Sequence, residues 1–456
     1  MNIVFIISDT LRREYLGCYG NSWIQTPNLD MFAREALVFD KTYTGSFPTI
    51  PNRNDIMSGR YAFHAQGWAP LPKGTIVVQE LLRRAGYVTM LITDHTQMLA
   101  PGMNYHQGFS GHQWIRGQCS DRYITDPVPI KYPCDPKKLR QPERLVEPHL
   151  RNVWYRRQES DYFVCQTMRR AMNWLERNYT HEKFMLYIDT FDVHEPWDPP
   201  RWYVDLYDPG YEGEEVIYPR YDYSGYLTEA ELRHVRALYA GEITMLDRWV
   251  GFLLQKIKDL GIWDETAIFF TTDHGWYHGE HGYIGKHTVL EPKKGWPLYE
   301  EICHIPLIAK IPGLDKGKRV NLLNQPTDLM PTLLDLADVP APKNLHGRSM
   351  LPALRGEEES IRDIAVASPT LSDDPETRVY STVTDGEWTL VYAGNLAEPE
   401  LYHLPSDPKQ RRNVLEENRD VARDLIEKYI KTLREIGTSE RRLRLRMPKE
   451  DTCLGS

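Results

Sequence analysis

Three residues far apart in the sequence carry the side chains that a transition-metal site needs. Asp9 follows an apolar run at the start of the chain, and Asp273 and His274 follow another apolar run at 267–272. A carboxylate from one strand end and an Asp-His pair from another can form the oxygen and nitrogen shell of a divalent ion. Taken alone, an Asp-His-Gly triplet fits a structural role equally well, so the prediction depends on its surroundings.

The segment after this pair favours a chemical role. It continues as Gly275-Trp-Tyr-His278-Gly-Glu-His281-Gly-Tyr-Ile-Gly-Lys286-His287. A loop with so many glycine, histidine and lysine residues, directly after a buried strand, is difficult to explain by core packing. We therefore interpret this region as part of a functional site.

Short apolar, β-branched runs alternate with helical patterns over much of the chain. Runs at 3–8, 88–92, 184–188 and 267–272 predict strands, and residues 28–35 and 75–85 predict helices. This alternation is typical of an α/β fold with a mostly parallel sheet between helices.

Polar residues follow directly after these four predicted strands. Ligands of such sheets bind beyond the carboxyl ends of the strands. We therefore expect these residues to converge at one edge of the sheet: Asp9, Asp94, His95, Asp189, His194, Asp273 and His274.

Two stretches interrupt the regular pattern. Residues from about 104 to 160 are rich in Pro, Arg, Tyr and Trp, and we interpret them as an insertion that either shapes a substrate pocket or is a surface excursion. After about residue 365, short strands at 379–383 and 388–392, joined by a turn with Asp385-Gly386, precede a helix at 416–437. This predicts a catalytic α/β domain over 1–365 and a smaller C-terminal subdomain, an antiparallel sheet plus a helix, over 366–456.

The composition argues against nucleic-acid and membrane partners. The formal net charge is −9, and no apolar run approaches the length of a membrane span. No signal-peptide pattern precedes the first strand, and the six cysteines form no CxxC pair, so we expect a cytoplasmic protein with reduced thiols. A short basic stretch near the end fits a solvated tail or a contact in a homo-oligomer: Arg441, Arg442, Arg444, Arg446 and Lys449.

Motifs in collinear order along nearly the whole chain resemble those of the sulfatase family of the alkaline phosphatase superfamily. They are the opening segment 9–20, Thr26-Pro-Asn-Leu-Asp30, Met57-Ser-Gly-Arg-Tyr61, Asp192-Val-His194-Glu-Pro196, Asp273-His-Gly275, Gly285-Lys-His287, Gln325-Pro-Thr-Asp328 and the C-terminal segment 400–408. The resemblance implies an alkaline phosphatase/sulfatase-like fold. It also implies a metal-dependent hydrolase acting on a small-molecule ester.

The sequence departs from this family at the nucleophile. Sulfatases carry Cys-x-Pro-x-Arg or Ser-x-Pro-x-Arg, whose first residue becomes formylglycine, whereas this chain has Thr49-Ile-Pro-Asn52-Arg53. Threonine cannot become formylglycine, because oxidation at its methyl-bearing Cβ would give a ketone. The segment is similar to the nucleophile segment of nucleotide pyrophosphatase/phosphodiesterases, which attack phosphorus with threonine. A metal-bound threonine alkoxide is a competent nucleophile.

The resemblance also implies metal ligands. A first site would be formed by Asp9, Thr49, Asp273 and His274. A second ion would be held by Asp189, His194 and His287, with Asp192 as the alternative to Asp189; two ions about 4 Å apart would hold the attacking and leaving oxygens. In the one-metal alternative, His194 and His287 contact the ester oxygens directly. Because histidine is among the ligands, we expect Zn²⁺ or Mn²⁺ rather than Ca²⁺.

Other side chains near these motifs have predicted supporting roles. Asn52, Arg53 and Lys286 are expected to neutralise charge on the transferring group. For Arg53 and Lys286, an ion pair that orients a metal ligand is the alternative. Thr10 stands where many sulfatases have a further aspartate ligand. Three histidines are interpreted as loop residues or neighbours of ligands: His95, His278 and His281.

These observations predict a hydrolase that cleaves a phosphate diester, or a phosphonate or sulfate ester, with Thr49 as the nucleophile. One alternative is a sulfuric ester hydrolase that works without formylglycine. Another is a phosphoryl transferase or mutase that uses the same threonine. The intact ligand set disfavours a degenerate binding protein. The organic part of the substrate stays open, because Trp197, Trp202 and Tyr203 suit a sugar, an aryl group or a nucleotide.

Overall fold

The computed structural model of the protein describes residues 1–286, 293, 295–314 and 316–448. The chain forms two compact units, each built from several segments. The first contains residues 1–38, 82–286 and 306–318, and the second contains the described residues within 39–81, 287–305 and 319–456.

The strands of the described residues are, in chain order, β1 (Asn2–Ser8), β2 (Leu37–Phe39), β3 (Ser46–Phe47), β4 (Val88–Thr93), β5 (Gly111–Trp114), β6 (Phe184–Thr190), β7 (Asp222–Tyr223), β8 (Thr266–Thr271), β9 (Tyr277–His278), β10 (Tyr283–Gly285), β11 (Leu307–Lys310), β12 (Arg319–Val320), β13 (Ala365–Pro369), β14 (Ser381–Thr384), β15 (Trp388–Tyr392) and β16 (Glu400–His403).

The α-helices are α1 (Pro27–Arg34), α2 (Thr49–Ser58), α3 (Val78–Arg84), α4 (Thr96–Leu99), α5 (Glu147–Val153), α6 (Phe163–Asn178), α7 (Arg201–Val204), α8 (Glu229–Asp259), α9 (Glu300–Cys303), α10 (Leu329–Leu336), α11 (Leu351–Leu354), α12 (Arg419–Glu435) and α13 (Glu440–Arg444). Among the residues that the structure describes, none of these helices has both the length and the apolar content needed to cross a bilayer.

The central sheet of the first unit is mostly parallel, as predicted. Its strands from the first unit have the order β2-β11-β8-β1-β6-β4-β5. Strands β8, β1, β6, β4 and β5 run parallel, whereas β11 is antiparallel to β8. Residues 3–7 of the central strand β1 are fully buried, which explains why this strand is a continuous apolar run. In the register, Ile7 lies between Asp189 and Thr271, so the carboxyl ends of three strands are level.

Two long helices pack together in the first unit. Helix α6 contacts both β6 and α8. Helix α8 begins with a capping box, in which the Thr228 hydroxyl accepts from the Glu231 N–H and the Glu231 carboxylate accepts from the Thr228 N–H. The predicted insertion at about 104–160 contributes to this unit, because β5 forms the edge strand beside β4.

The second unit contains the predicted C-terminal antiparallel sheet and helix. Its sheet has the order β16-β15-β14-β13-β3, and apolar side chains of α12 share a core with it. The unit also includes residues 39–81, so it does not follow the linear division predicted at residue 365. The reason is a long-range pairing: β3 adds in parallel to β13, with Ser46 opposite Ser368.

A buried ion pair in the second unit leads to a stability prediction. Arg362 Nε donates to Asp328 Oδ2 at 3.0 Å, and its Nη1 donates to the Tyr61 hydroxyl at 2.8 Å. Asp328 is fully buried. We expect Arg362→Met to lower the free energy of unfolding by about 3–5 kcal/mol, because Asp328 would stay buried without its counter-charge. Urea unfolding measures this change, with exposed Arg355→Met as the control; equal stability of the two variants would contradict it.

Candidate active site

The carboxyl ends of β1 and β8 bring three predicted metal ligands together. Asp9 follows β1 directly, and Asp273 and His274 lie just beyond β8. Each residue offers one ligand atom, and these atoms all lie within 4.8 Å of one another. All three residues are 0% exposed. Two carboxylates and one imidazole suit Zn²⁺ or Mn²⁺, so the residues fit the metal that the sequence motifs imply.

Hydrogen bonds hold the two carboxylates in position. Asp9 Oδ1 accepts from the Thr10 hydroxyl at 2.6 Å, and Asp9 Oδ2 lies 3.1 Å from His95 Nε2. Asp273 Oδ1 accepts from the backbone N–H groups of Thr10 at 3.0 Å and of His274 at 2.8 Å. The other oxygen of Asp273 faces His274 Nε2 at 3.4 Å. The protein thus engages Oδ1 of Asp273 and directs Oδ2 towards the cluster.

His274 is held as a neutral imidazole. Its Nδ1 lies 3.0 Å from the carbonyl oxygen of Gly275, which can only accept, so Nδ1 carries the proton and Nε2 the lone pair. Burial lowers the pKa of His274 to about 4. A neutral ring with its lone pair on Nε2 is the form that binds a divalent cation.

Thr10 and Lys286 form a hydrogen-bonded chain to Asp9. The Lys286 ammonium donates to the Thr10 hydroxyl at 3.1 Å, and that hydroxyl donates to Asp9. Lys286 is buried, and Thr10 has a left-handed backbone with φ 62°. Such strain at a non-glycine residue is typical of functional sites. The structure therefore places a cation beside the candidate metal site, as its predicted charge-neutralising role requires.

His194 lies on the same edge, in the loop after β6. Its Nδ1 is 2.6 Å from the Glu195 carbonyl oxygen, which leaves the lone pair on Nε2. Burial, and after it the charge of Lys286, hold the pKa of His194 well below its usual value. Asp9 and His274 also act on His194 electrostatically. Its contact with the substrate stays a prediction.

The second metal site also stays a prediction. His287 lies outside the described residues. Asp189 is fully buried and lies close enough to Asp94 to act on it electrostatically. The pKa of Asp94 is well above its usual value, first because Asp94 is buried and then because the carboxylates of Asp192 and Asp189 repel its charge. Asp192 has both carboxylate oxygens in hydrogen bonds, one with Gln118 at 2.6 Å and one with a backbone N–H at 3.0 Å. Asp189, with Asp192 as its alternative, stays the predicted ligand from this loop.

The predicted nucleophile segment belongs to the second unit. Thr49 is the first residue of α2 and is almost completely buried, and Asn52 and Arg53 are fully buried. Asn52 Nδ2 donates to the Thr44 hydroxyl at 2.8 Å, and Arg53 Nη1 lies 3.5 Å from the Thr49 carbonyl oxygen. The helix N-terminus provides a partial positive charge near Thr49. The roles of Thr49 as nucleophile and ligand, and of Asn52 and Arg53 in binding charge, stay predictions.

Some features of the site were not apparent from the sequence. In the sequence Thr10 only marks the place of a missing aspartate ligand, but its position next to Asp9 at a strand end is a usable signal of a site residue. His95 contacts Asp9, in agreement with its interpretation as a neighbour of a ligand. Of the aromatic residues considered for a pocket, Trp197 is fully buried, whereas Trp202 is 57% exposed.

The contact between His95 and Asp9 yields a prediction about metal affinity. We expect His95→Ala to weaken metal binding by about 10–100-fold, because residues that orient a metal ligand contribute this much. His95→Gln, which keeps a donor, should lose less. Competition with a chromogenic chelator measures the affinity, and His181→Ala, at an exposed position, is the control. Unchanged affinity in His95→Ala would show that Asp9 needs no support from this ring.

Comparison with known protein families identifies the chain. The Sulfatase family model matches residues 1–339, and the model of the N-sulphoglucosamine sulphohydrolase C-terminal region matches residues 279–437. The chain belongs to the sulfatase family. Similar sequences from this family include the arylsulfatase of Clostridium perfringens, 24% identical over 91% of this chain and 90% of that protein. Another is N-acetylglucosamine-6-O-sulfatase of Bacteroides thetaiotaomicron, which is 23% identical over 91% of this chain and 82% of that protein.

Solved structures show the same fold. The phosphonate monoester hydrolase of Agrobacterium radiobacter has a TM-score of 0.76 at 20% identity, covering 95% of this sulfatase-family chain and 96% of its own. A protein solved in complex with its substrate D-glucosamine-2-N,6-O-disulfate has a TM-score of 0.74 at 19% identity. The match covers 97% of this chain and 99% of that protein. The predicted alkaline phosphatase/sulfatase-like fold and the predicted enzyme class, a hydrolase acting on ester bonds, are confirmed.

Proposed function

We propose that this sulfatase-family chain hydrolyses a sulfate ester with a divalent metal held by Asp9, Asp273 and His274. The observation that carries the proposal is this buried ligand cluster at the strand ends of a chain that belongs to the sulfatase family. The names of two relatives, an arylsulfatase and an N-acetylglucosamine-6-O-sulfatase, favour a sulfate ester. The Thr49 segment favours a phosphate diester, with a sulfate ester as the alternative. The names of the relatives give the sulfate ester more support than the phosphate diester.

The bound metal would supply a Lewis acid that stabilises negative charge on the ester oxygens. The residues of the chain prepare the remainder of the site. Lys286 adds a second positive charge beside Asp9 through Thr10. His194, with its proton fixed on Nδ1, presents a lone pair that can accept a proton or a hydrogen bond.

Thr49 is the proposed nucleophile. Its hydroxyl oxygen would form a bond to sulfur while the bond from sulfur to the leaving oxygen breaks; the hydroxyl proton leaves and the leaving oxygen gains one. Water would then attack the threonine sulfate at sulfur, which releases sulfate and restores the hydroxyl. Because a sulfated threonine is difficult to clear in this way, we expect the second step to limit turnover.

The chemistry of Thr49 also favours a second candidate function. Attack of Thr49 on a phosphonate monoester would expel the alcohol and leave a phosphonylated threonine, and water hydrolyses a threonine ester of phosphorus more readily than a sulfated one. Two of the similar structures are phosphonate monoester hydrolases. Hydrolysis of a phosphonate monoester is therefore the alternative proposal.

A substrate panel distinguishes these functions. Each compound carries the same 4-nitrophenol leaving group on a sulfate, a phosphonate monoester, a phosphate diester or a phosphate monoester. After chelation, the full chain is resupplied with Zn²⁺ or Mn²⁺ and kcat/KM is measured. We expect the sulfate to give the highest value. A higher value for the phosphonate or the diester would overturn the sulfate proposal and assign phosphorus chemistry.

The organic part of the substrate is proposed to be a sugar. One relative is named for N-acetylglucosamine-6-O-sulfate chemistry, and one similar structure contains a glucosamine disulfate as its substrate. A sulfated monosaccharide is accordingly the natural second panel after the aryl esters.

A further inference from the structure

Glu195 places a buried carboxylate beside the imidazole of His194. The residue is 0% exposed. His194 Nδ1 lies 2.6 Å from the Glu195 carbonyl oxygen and 3.3 Å from Oε2 of the Glu195 carboxylate. This Oε2 is buried and has no hydrogen-bond partner among the residues that the structure describes. Because a carboxylate is costly to bury, its position against a histidine of the candidate site points to a function rather than to packing.

Tyr221 holds the other oxygen of this carboxylate. Its hydroxyl donates to Oε1 of Glu195. Burial, and after it the charge of Glu195, raise the pKa of Tyr221 well above its usual value, so the phenol keeps its proton and is the donor. With Oε1 engaged in this way, Oε2 faces Nδ1 of His194. Tyr221 therefore orients Glu195, and Glu195 lies against His194.

Close packing fixes the Tyr221 ring. The ring meets Trp276 edge-on, with centroids 4.9 Å apart, and the Arg140 guanidinium carbon lies 3.5 Å from its centroid. Gly285 has a φ of 113°, and a Cβ at this position would lie 2.7 Å from Cγ of Tyr221. Any other residue at position 285 would displace the ring or the backbone before Lys286. The orientation of Tyr221 is thus determined by the same loop that carries Lys286.

Burial and nearby charges have opposite effects on Glu195. Burial raises the pKa of Glu195 to about 7. The positive charge of Lys286, the hydrogen bond from Tyr221 and the positive charge of Arg140 act in the other direction. In its ionised form the carboxylate faces the N–H of His194. A carboxylate or carbonyl oxygen in this position fixes both the tautomer and the orientation of an imidazole ring.

We propose that Glu195 is a positioning residue for the reaction, which holds His194 with its proton on Nδ1 and its Nε2 lone pair towards the candidate site, and that Tyr221 acts through Glu195. Either predicted contact of Nε2, with a metal ion or with the ester, needs a ring of fixed orientation. Groups that orient a histidine in this way contribute about 10–100-fold to activity or metal affinity. The expected effect on activity rests on the proposed function, whereas the orientation of the ring does not.

Steady-state kinetics at about pH 8, above the pKa of Glu195, measure the effect on activity. In Glu195→Gln, which keeps the shape of the side chain but not its charge, we expect kcat to fall about 10–100-fold with KM nearly unchanged. Tyr221→Phe should lose less. The double variant should be no slower than Glu195→Gln alone, because Tyr221 acts only through the carboxylate. Glu147→Gln is the matched control, since Glu147 also accepts from a tyrosine hydroxyl, that of Tyr132 at 2.6 Å.

Nuclear magnetic resonance of the protein labelled with ¹⁵N-histidine measures the tautomer independently of activity. The ring signals of His194 are identified by their absence in His194→Ala. We expect the wild-type ring to carry its proton on Nδ1 alone, and Glu195→Gln to contain the Nε2–H form as well. Thermal unfolding verifies that each variant is folded. If Glu195→Gln does not fold, Tyr221→Phe gives the same comparison.

Two results would overturn the assignment: an unchanged kcat in Glu195→Gln, or a loss of kcat with the wild-type tautomer retained. A double variant slower than Glu195→Gln would refute the part assigned to Tyr221. A failure of the proposed function is distinguishable, because the wild-type chain would then cleave none of the esters. In that case the ring signals of His194 decide the question: a changed tautomer in Glu195→Gln supports the positioning role, and an unchanged one refutes it.

Discussion

Asp273→Ala should remove the metal and lower kcat/KM for the best sulfate ester by about 10³-fold or more, since a bound metal contributes several kcal/mol of charge stabilisation in the transition state. Asp273 has two functions in the structure. Its Oδ2 faces the cluster, while its Oδ1 holds the backbone N–H groups of Thr10 and His274. Loss of this carboxylate therefore removes a ligand and also releases the residue that connects Lys286 to Asp9.

Elemental analysis and steady-state kinetics on the same preparation measure both effects. Asp259→Ala, a change at an exposed aspartate, is the matched control and should keep the metal and the activity. Asp273→Asn retains an oxygen for the backbone bonds but loses the charge, so it separates the structural from the electrostatic contribution. Full metal content and full activity in Asp273→Ala would eliminate this residue as a ligand.

Thr49→Ala should lower turnover by about 10³-fold or more if the hydroxyl is the nucleophile, because no other group restores a covalent route. Thr49→Ser should keep a measurable part of the activity, since serine retains the oxygen and loses only the methyl group. The measurement is kcat on the best substrate, together with the intact mass of the protein during turnover. A sulfated wild-type chain is expected, and no such adduct in Thr49→Ala.

Thr49→Cys adds an independent test. Produced in a host with formylglycine-generating machinery, this variant contains Cys-x-Pro-x-Arg and should gain sulfatase activity relative to Thr49→Ala. Thr432→Ala, in α12 of the same unit, is the control. Should Thr49→Ala turn over the best substrate at the wild-type rate, with Thr49→Cys no different, Thr49 would have only a structural role.

Much of the central sheet could be predicted because buried parallel strands are continuous apolar runs. The predicted strand at 3–8 is observed as Asn2–Ser8, and the one at 184–188 as Phe184–Thr190. Strands of only two residues, such as β3 and β7, carry too little local pattern to be found. The pairing of β3 with β13 joins residues more than 300 positions apart, and no local signal encodes that contact.

The same contrast applies to the candidate site. Asp9, Asp273 and His274 could be found because they follow strand ends, and the fold brings such ends together. The function of Thr10 depends on its left-handed backbone. That property is not visible in residue types and spacing. The predicted roles of Thr49 and of the second metal ligands await experiment.

Metal titration of the chelated 456-residue chain tests the central claim most directly. The substrate is a sulfate ester, and Zn²⁺ or Mn²⁺ is added in known ratios to the protein. We expect no turnover without metal and a rise that saturates at one ion per chain, or at two if the second site exists. Wild-type turnover of the sulfate ester by a chain shown by elemental analysis to be metal-free would contradict the account.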